Sequence, residues 1–174
     1  MTNSFVILVD KNDSEKGLME KMEAHQKGEL HRAFSIFIFN SANELLLQKR
    51  ATSKYHSGGL WTNTCCSHPA PGTLISEEAE KRLFEEMGFT TNLHKIFSFI
   101  YKAELDNGLT EYEFDHVFAG RFDGLPNINP EEVEDWKFVK LEELKLDIIE
   151  HPERYTKWFV ICFPKIEQYV NQKR

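Results

Sequence analysis

The sequence has no stretch approaching the roughly 18 consecutive apolar residues that a membrane span requires, and the apolar part of its opening, MTNSFVILVDKND, is too short and too poorly flanked for a signal peptide. Both absences point to a cytoplasmic protein with no membrane insertion. Positive charge is also scarce: 21 Lys plus Arg stand against 28 Asp plus Glu, a formal charge of −7. That balance argues against nucleic acid or an anionic lipid surface as a partner, so an anionic ligand must be held by a local cluster of cations. Repeats, low-complexity tracts and Pro/Ser-rich linkers are missing, so nothing marks a boundary. The 174 residues, 41% of them hydrophobic, read as a single domain spanning 1–174 with one core and one cleft. Cysteine is sparse too. Three thiols without an export signal argue against a disulfide framework, and the adjacent Cys65 and Cys66 join only through a strained eight-membered ring.

What is present is a run of strand-like segments broken by few helices. FVILVD reads as a first strand, and AFSIFIFN, SANE and LLLQKR read as a strand, a turn and a second strand forming a hairpin. ISEEAEKRLFEEMG has early acidic residues, Ala79, Leu83 and Met87 at spacings of four, and Gly88 placed to stop it, so a helix of about three turns is expected. HKIFSFIYKAEL and LTEYEFDHVFAGRF flank Asn107-Gly108 as a second hairpin. DWKFVKL adds a strand, EELKLDIIE a helix, and HPERYTKWFVICFPKIEQYV a helix bent or interrupted at Pro164. Several strands and about three helices, in an order that is not a simple βαβ repeat, give an α/β protein of the α+β type: a mixed sheet with helices packed on its faces.

Four groups of residues carry chemistry. In LWTNTCCSHP, Cys65, Cys66 and His68 are open to reading as a metal clip, a nucleophile with its base, or ordinary buried residues; Cys162 in WFVICFP is most simply core. In TEYEFDH, strand alternation sends Glu111 and Glu113 to one face, about 7 Å apart, and Tyr112 and Phe114 to the other. These carboxylates either line a solvated face or gather around a cation. His25, His31 and His68 with Glu111 and Glu113 suit a divalent transition metal, and five such ligands indicate an octahedral site; the alternative is unrelated surface histidines. His25 and His31 are six apart, which fits neither helix nor strand, so a loop entering the AFSIFIFN strand would have to bring them together. His56, His94, His116 and His151 are read as unrelated to a site. Lys21, Arg50, Lys54 and Arg82 are either solvated surface or a phosphate-binding cluster.

HQKGELHRAFS, QKRATSK, WTNTCCSHP, FEEMG and TEYEFDHVF, in this order and at these separations, resemble type I isopentenyl-diphosphate isomerase, a family of the Nudix fold, from about residue 5 to about residue 165. The resemblance implies a metal-dependent 1,3-proton shift between isopentenyl and dimethylallyl diphosphate in isoprenoid biosynthesis, in a monomer or weak homodimer. By position it implies Cys66 as the catalytic cysteine and Cys65 as a bystander. It implies His25, His31, His68, Glu111 and Glu113 as ligands of Mn2+ or Zn2+, and Glu86 with the Cys66 carbonyl as the site of a Mg2+ that arrives with the diphosphate. Lys21, Arg50, Lys54 and Arg82 become diphosphate contacts, Tyr101 an assisting phenol, and Trp158 an indole beside the reacting carbons. Cys66 then fits as a thiolate base if nearby positive charge lowers its pKa. A Nudix hydrolase box, G-x5-E-x7-R-E-U-x-E-E-x-G-U, aligned on EEMGF is broken at Ser67, Thr73, Lys81 and Arg82. Arg82 stands where hydrolases keep an acidic magnesium ligand, which favours an isomerase over the alternative, a Nudix-type diphosphohydrolase. A non-catalytic binding module is the remaining alternative.

Overall fold

AFSIFIF lies in β3 (His31–Phe39), a strand buried almost from end to end, as one covered on both faces must be. Beside it runs β8 (Thr110–Arg121), parallel through nine residue pairs from His31↔Glu113 to Phe39↔Arg121. The computed structural model describes residues 4–173, which build a nine-stranded mixed sheet around this pair. β7 (His94–Glu104) closes antiparallel on β8 through a turn in which Asn107 and Gly108 take left-handed φ of 59° and 69°, as the expected hairpin requires. The other edge of β3 meets three strands in succession: β1 (Phe5–Val9) at His31, β6 (Cys65–Ser67) at Phe34 to Ile36, and β4 (Leu45–Arg50) at Phe39. The expected β3–β4 hairpin is therefore reduced to one pair, Phe39↔Leu45. β6 takes up the edge that β4 would have used, and β4 pairs instead with β5 (Trp61–Thr62) and β9 (Val133–Val139). β2 (Glu15–Glu20), not foreseen, pairs with β1.

Helices cover both faces. On one, Ala79, Leu83 and Met87 of α2 (Ile75–Met87) pack against Phe34, Ile36 and Ile38. On the other, Leu144 of α3 (Leu141–Glu150) and Trp158, Phe159 and Phe163 of α4 (Lys157–Gln172) pack against Phe37, Leu45 and Val117. Each fully buried side chain of this size, such as Phe159, contributes about 1.5–3 kcal/mol. The last helix differs from expectation at both points. Pro152–Arg154 forms a separate 3-10 turn, so α4 begins only at Lys157, and it continues through Pro164 without a break. Pro164 lies on the exposed side of α4, where water can replace the backbone hydrogen bond it removes. A fourth helix, α1 (Lys21–Lys27), was not expected. The Glu20 carboxylate accepts from the Glu23 N–H at its start, and Gly28 ends it at φ 65° with its N–H bonded to the Ala24 carbonyl. His25 thus sits on a helix rather than in a loop, and Gly28 turns the chain into β3 so that His31 follows within a few residues.

Candidate active site

Sheet register alone sets three residues in a row: Tyr101 of β7 opposite Glu113 of β8, and Glu113 beside His31 of β3. Alternation along β8 turns Glu111, Glu113 and Asp115 to the α4 side, all buried. The Tyr101 hydroxyl donates to Glu113 Oε2 at 2.6 Å and lies 3.1 Å from Glu111 Oε2. Burial, then the charge of Glu113, pushes the Glu111 carboxyl well above its ordinary range. Burial also acts to raise Glu113, but hydrogen bonds from His31 and His68 outweigh it and hold this carboxyl well below the usual range. One member of the pair keeps a proton and the other a charge, as two adjacent buried carboxylates must. Asp115, which sequence reading passed over although it shares the phase of Glu111 and Glu113, accepts from Ser35 Oγ at 2.8 Å, and burial raises its carboxyl as well.

The histidines converge on Glu113. His25 Nδ1 donates to the Lys21 carbonyl at 2.7 Å and His31 Nδ1 to the Glu29 carbonyl at 2.8 Å, which leaves both Nε2 atoms to face inward. His31 Nε2 is 3.2 Å from His68 Nε2, His68 Nε2 is 3.0 Å from Glu113 Oε1, and His31 Nε2 is 3.5 Å from the same oxygen. Ligands standing about 2.1 Å from one ion are spaced about 3 Å apart at neighbouring corners. His25 Nε2 is buried with no hydrogen-bond partner among the described residues, and His25, His31, His68 and Glu113 present donor atoms all within 4.8 Å of one another. This set fits a divalent cation. Glu111 does not close with that quartet; its donor atom groups with those of His25 and His56 instead.

Strand alternation also separates the two thiols. Cys65 points into the α2 side of the core, whereas Cys66 packs toward the α4 side and lines a narrow cleft with Glu111, Glu113 and Trp158. The condition for a thiolate at Cys66 is not met in the metal-free protein. Burial pushes the thiol strongly upward, and the nearby Arg50 charge cannot offset both that and the repulsion from Glu86, Glu111 and Glu113. In the metal-free protein these surroundings favour the neutral thiol.

All four predicted cations line the same cleft. Arg50, 9% exposed, gives one N–H to the His56 carbonyl at 3.2 Å and stacks 5.2 Å from the Trp158 ring centre, while its buried Nε has no partner. Lys21 lies 4.7 Å over the Tyr55 ring, and burial followed by repulsion from Lys54, Arg50 and Arg82 lowers its pKa. Lys54 and Arg82 are bridged by Glu132, at 2.5 Å and 3.0 Å. Four crowded cations, two of them (Arg50 and Arg82) with a buried Nε that has no hydrogen-bond partner among the described residues, suit an anionic ligand. Glu86, on the last turn of α2, accepts from Gln48 Nε2 at 2.7 Å and lies 2.8 Å from Arg82 Nε, close but not aligned as a hydrogen bond. One such carboxylate beside a cluster of cations could hold a hard divalent cation that takes its remaining ligands from an anionic ligand and water. Thr73 is far less engaged: it is exposed and bonds the Ala70 carbonyl ahead of α2.

Of the residues expected in the site, Lys21, Arg50, Lys54, Cys66, His68, Arg82, Glu86, Glu111, Glu113 and Trp158 line one cleft, and His25, His31 and Tyr101 join it through their contacts with Glu111 and Glu113; Cys65 and Cys162 lie in the core and Thr73 is exposed. Sequence reading missed Gln48, Tyr55, Asp115 and Glu132, and it dismissed His56, which lines the cleft. Asp115 was marked by the phase it shares with Glu111 and Glu113; no spacing marks the other four, which only the closure of the 51–60 loop and the long-range strand pairings bring in. His94 is exposed beside Tyr169, His116 pairs with Asp13, and His151 lies near Glu153, so those three stay outside.

The NUDIX domain family matches residues 29–159. Among curated proteins, the chain is 53% identical over 161 residues to "Isopentenyl-diphosphate Delta-isomerase 2" of Aromatoleum aromaticum, covering 92% of this chain and 85% of the relative. It is 51% identical over 164 residues to "Isopentenyl-diphosphate Delta-isomerase" of Pectobacterium atrosepticum, covering 94% and 92%. Among solved structures, a Deinococcus radiodurans protein superposes with a TM-score of 0.78 over 93% of this chain and 98% of its own, at 17% identity. A MutT protein of Methanosarcina mazei superposes at 0.66 over 83% and 96%, at 18% identity. Likeness at that level concerns the fold alone.

Proposed function

Because the chain belongs to the isopentenyl-diphosphate Delta-isomerase family and carries its NUDIX domain, we propose that it interconverts isopentenyl and dimethylallyl diphosphate, acting as one domain over residues 1–174. The observation that carries this reading is the shared cleft: a thiol, a carboxyl group with its phenol, an indole and four cations all open onto the same space. Lys21, Arg50, Lys54 and Arg82 hold the diphosphate, with Mg2+ at Glu86, and so position a hydrocarbon tail that has no polar handle of its own. His25, His31, His68 and Glu113, with Glu111 from the neighbouring group, would hold Mn2+ or Zn2+, and such an ion would supply positive charge that makes the carboxyl a stronger acid.

An alkene is a weak base, and protonating it demands a dry, well-aimed acid. Glu113 fills this role, with Tyr101, hydrogen-bonded at 2.6 Å, able to relay a proton to it. The resulting tertiary carbocation lies against the Trp158 ring, a contact worth roughly 0.5–2 kcal/mol. That ring already stacks with the Arg50 guanidinium, so it accepts a cation in this fold. Cys66 then removes a proton from the neighbouring carbon as thiolate. One such turnover leaves a neutral thiol and an ionised Glu113, and this is the pattern that burial and the histidines favour in the free chain. The free protein is thus set for the reverse reaction, and the forward one needs a proton moved from sulfur back to carboxylate.

Arg82 disfavours the hydrolase alternative, because a guanidinium beside Glu86 fills the place of a second metal-binding carboxylate. Replacing Cys66 with alanine tests the reading. Turnover of isopentenyl diphosphate should fall to background while divalent-metal binding persists and no phosphate is released. Phosphate release, or unchanged turnover, would overturn it.

A further inference from the structure

His56 is a buried imidazole that the family resemblance assigns to no role, yet its donor atom lies within 4.8 Å of those of both His25 and Glu111. Its Nδ1 is 3.2 Å from Ser57 Oγ, so Nε2 is the nitrogen left to face the cluster. The ring is held in place on several sides: edge-on to Tyr55 at 4.4 Å between centroids, edge-on to Trp158 at 5.7 Å, and through a backbone carbonyl that accepts from Arg50 at 3.2 Å. His25, whose buried Nε2 has no hydrogen-bond partner among the described residues, belongs to two donor groups at once, with His31, His68 and Glu113 in one and with His56 and Glu111 in the other. His56 thus stands beside Glu111, within reach of an ion that Glu111 also binds.

We propose that His56 is a sixth protein ligand of the transition-metal ion, completing a set of four imidazoles and two carboxylates. The inference rests on reading the histidine cluster as a cation centre. It has two consequences. Added nitrogen shifts preference toward zinc and its late-transition neighbours and away from magnesium and manganese. A protein ligand in the sixth place also leaves no position for water or substrate, so the ion acts on the reaction only through its carboxylate ligands.

The test uses the full chain with zinc alone as the probe. Ring-nitrogen NMR of histidine-labelled, zinc-loaded protein should show four metal-shifted imidazoles, and His56→Gln should remove one of them. Chelator competition should show zinc affinity falling by about 10-fold or more in His56→Gln, since even outer-sphere changes cost that much. The exposed His94→Gln serves as the control and should be unchanged. Three shifted imidazoles in the unsubstituted protein, with unchanged zinc affinity in His56→Gln, would overturn the assignment and leave the cation centre standing. Failure of the unsubstituted protein to bind zinc at all would overturn the centre itself. The imidazole count is made on the unsubstituted chain, so it does not depend on how the variant folds.

Discussion

Cys66 shows how much one side chain owes to its neighbours. Its sequence context, thiol and histidine two apart, was legible as chemistry, and strand alternation explains why its twin Cys65 is buried on the opposite face. The protonation state was not legible, because it depends first on burial and then on the charges of Arg50 and of three carboxylates that other elements bring near. Its pKa is raised above the ordinary 9.0, as are those of the more deeply buried Cys65 and Cys162. Alkylation of the metal-free protein at pH 9 should accordingly be far slower than that of a model thiol. Rapid modification of Cys66 there would contradict the assignment of a neutral thiol. Gln48 was equally invisible beforehand. It donates to both the Thr64 carbonyl and Glu86, each at 2.7 Å, from a fully covered position in β4. Gln48→Leu should cost about 1–3 kcal/mol in denaturant unfolding, the penalty of leaving buried acceptors without a donor.

Among the elements, long periodic segments were readable and short or tightly closed ones were not. α2 announced itself by Ala79, Leu83, Met87 and the stop at Gly88. α1 did not, because seven residues are too few to establish a period, although its Glu23–Lys27 pair and Gly28 stop were both in view. The 51–60 loop carries Lys54, Tyr55 and His56 into the cleft. It is closed by backbone hydrogen bonds from the Gly59 N–H to the Arg50 carbonyl and from the Arg50 N–H to the Leu60 carbonyl. At Gly58 an added Cβ would lie 2.6 Å from the Thr52 carbonyl oxygen, a contact that backbone cannot yield without opening the loop. Gly58→Ala should therefore raise KM for isopentenyl diphosphate on the order of 10- to 100-fold by displacing the diphosphate contacts, while the far-UV circular dichroism stays unchanged. An unaltered KM would show that the loop does not position them.

For the whole molecule, composition and motif order were enough to indicate a mixed sheet with helices on both faces. The convergence of the site was not contained in any spacing. Tyr101, Glu113 and His31 become neighbours only because β3 and β8 run parallel across some eighty residues of intervening chain. The same burial makes stability depend on pH. His56 and His68 fall from an ordinary 6.5 to about 3, burial being the largest cause in each. Below pH 6.5 the unfolded chain takes up protons that the folded one refuses, so the metal-free protein loses stability from these residues as pH drops toward 3. Denaturant unfolding across this range should show His56→Gln with a shallower loss than the unsubstituted chain, by up to about one proton; equal slopes would contradict burial as a neutral imidazole. The most direct measurement of all is proton NMR of isopentenyl diphosphate with the purified protein in deuterated buffer, with and without a chelator. Metal-dependent appearance of the dimethylallyl isomer with deuterium at its terminal carbon is the predicted result, and an unchanged substrate or free phosphate would contradict it.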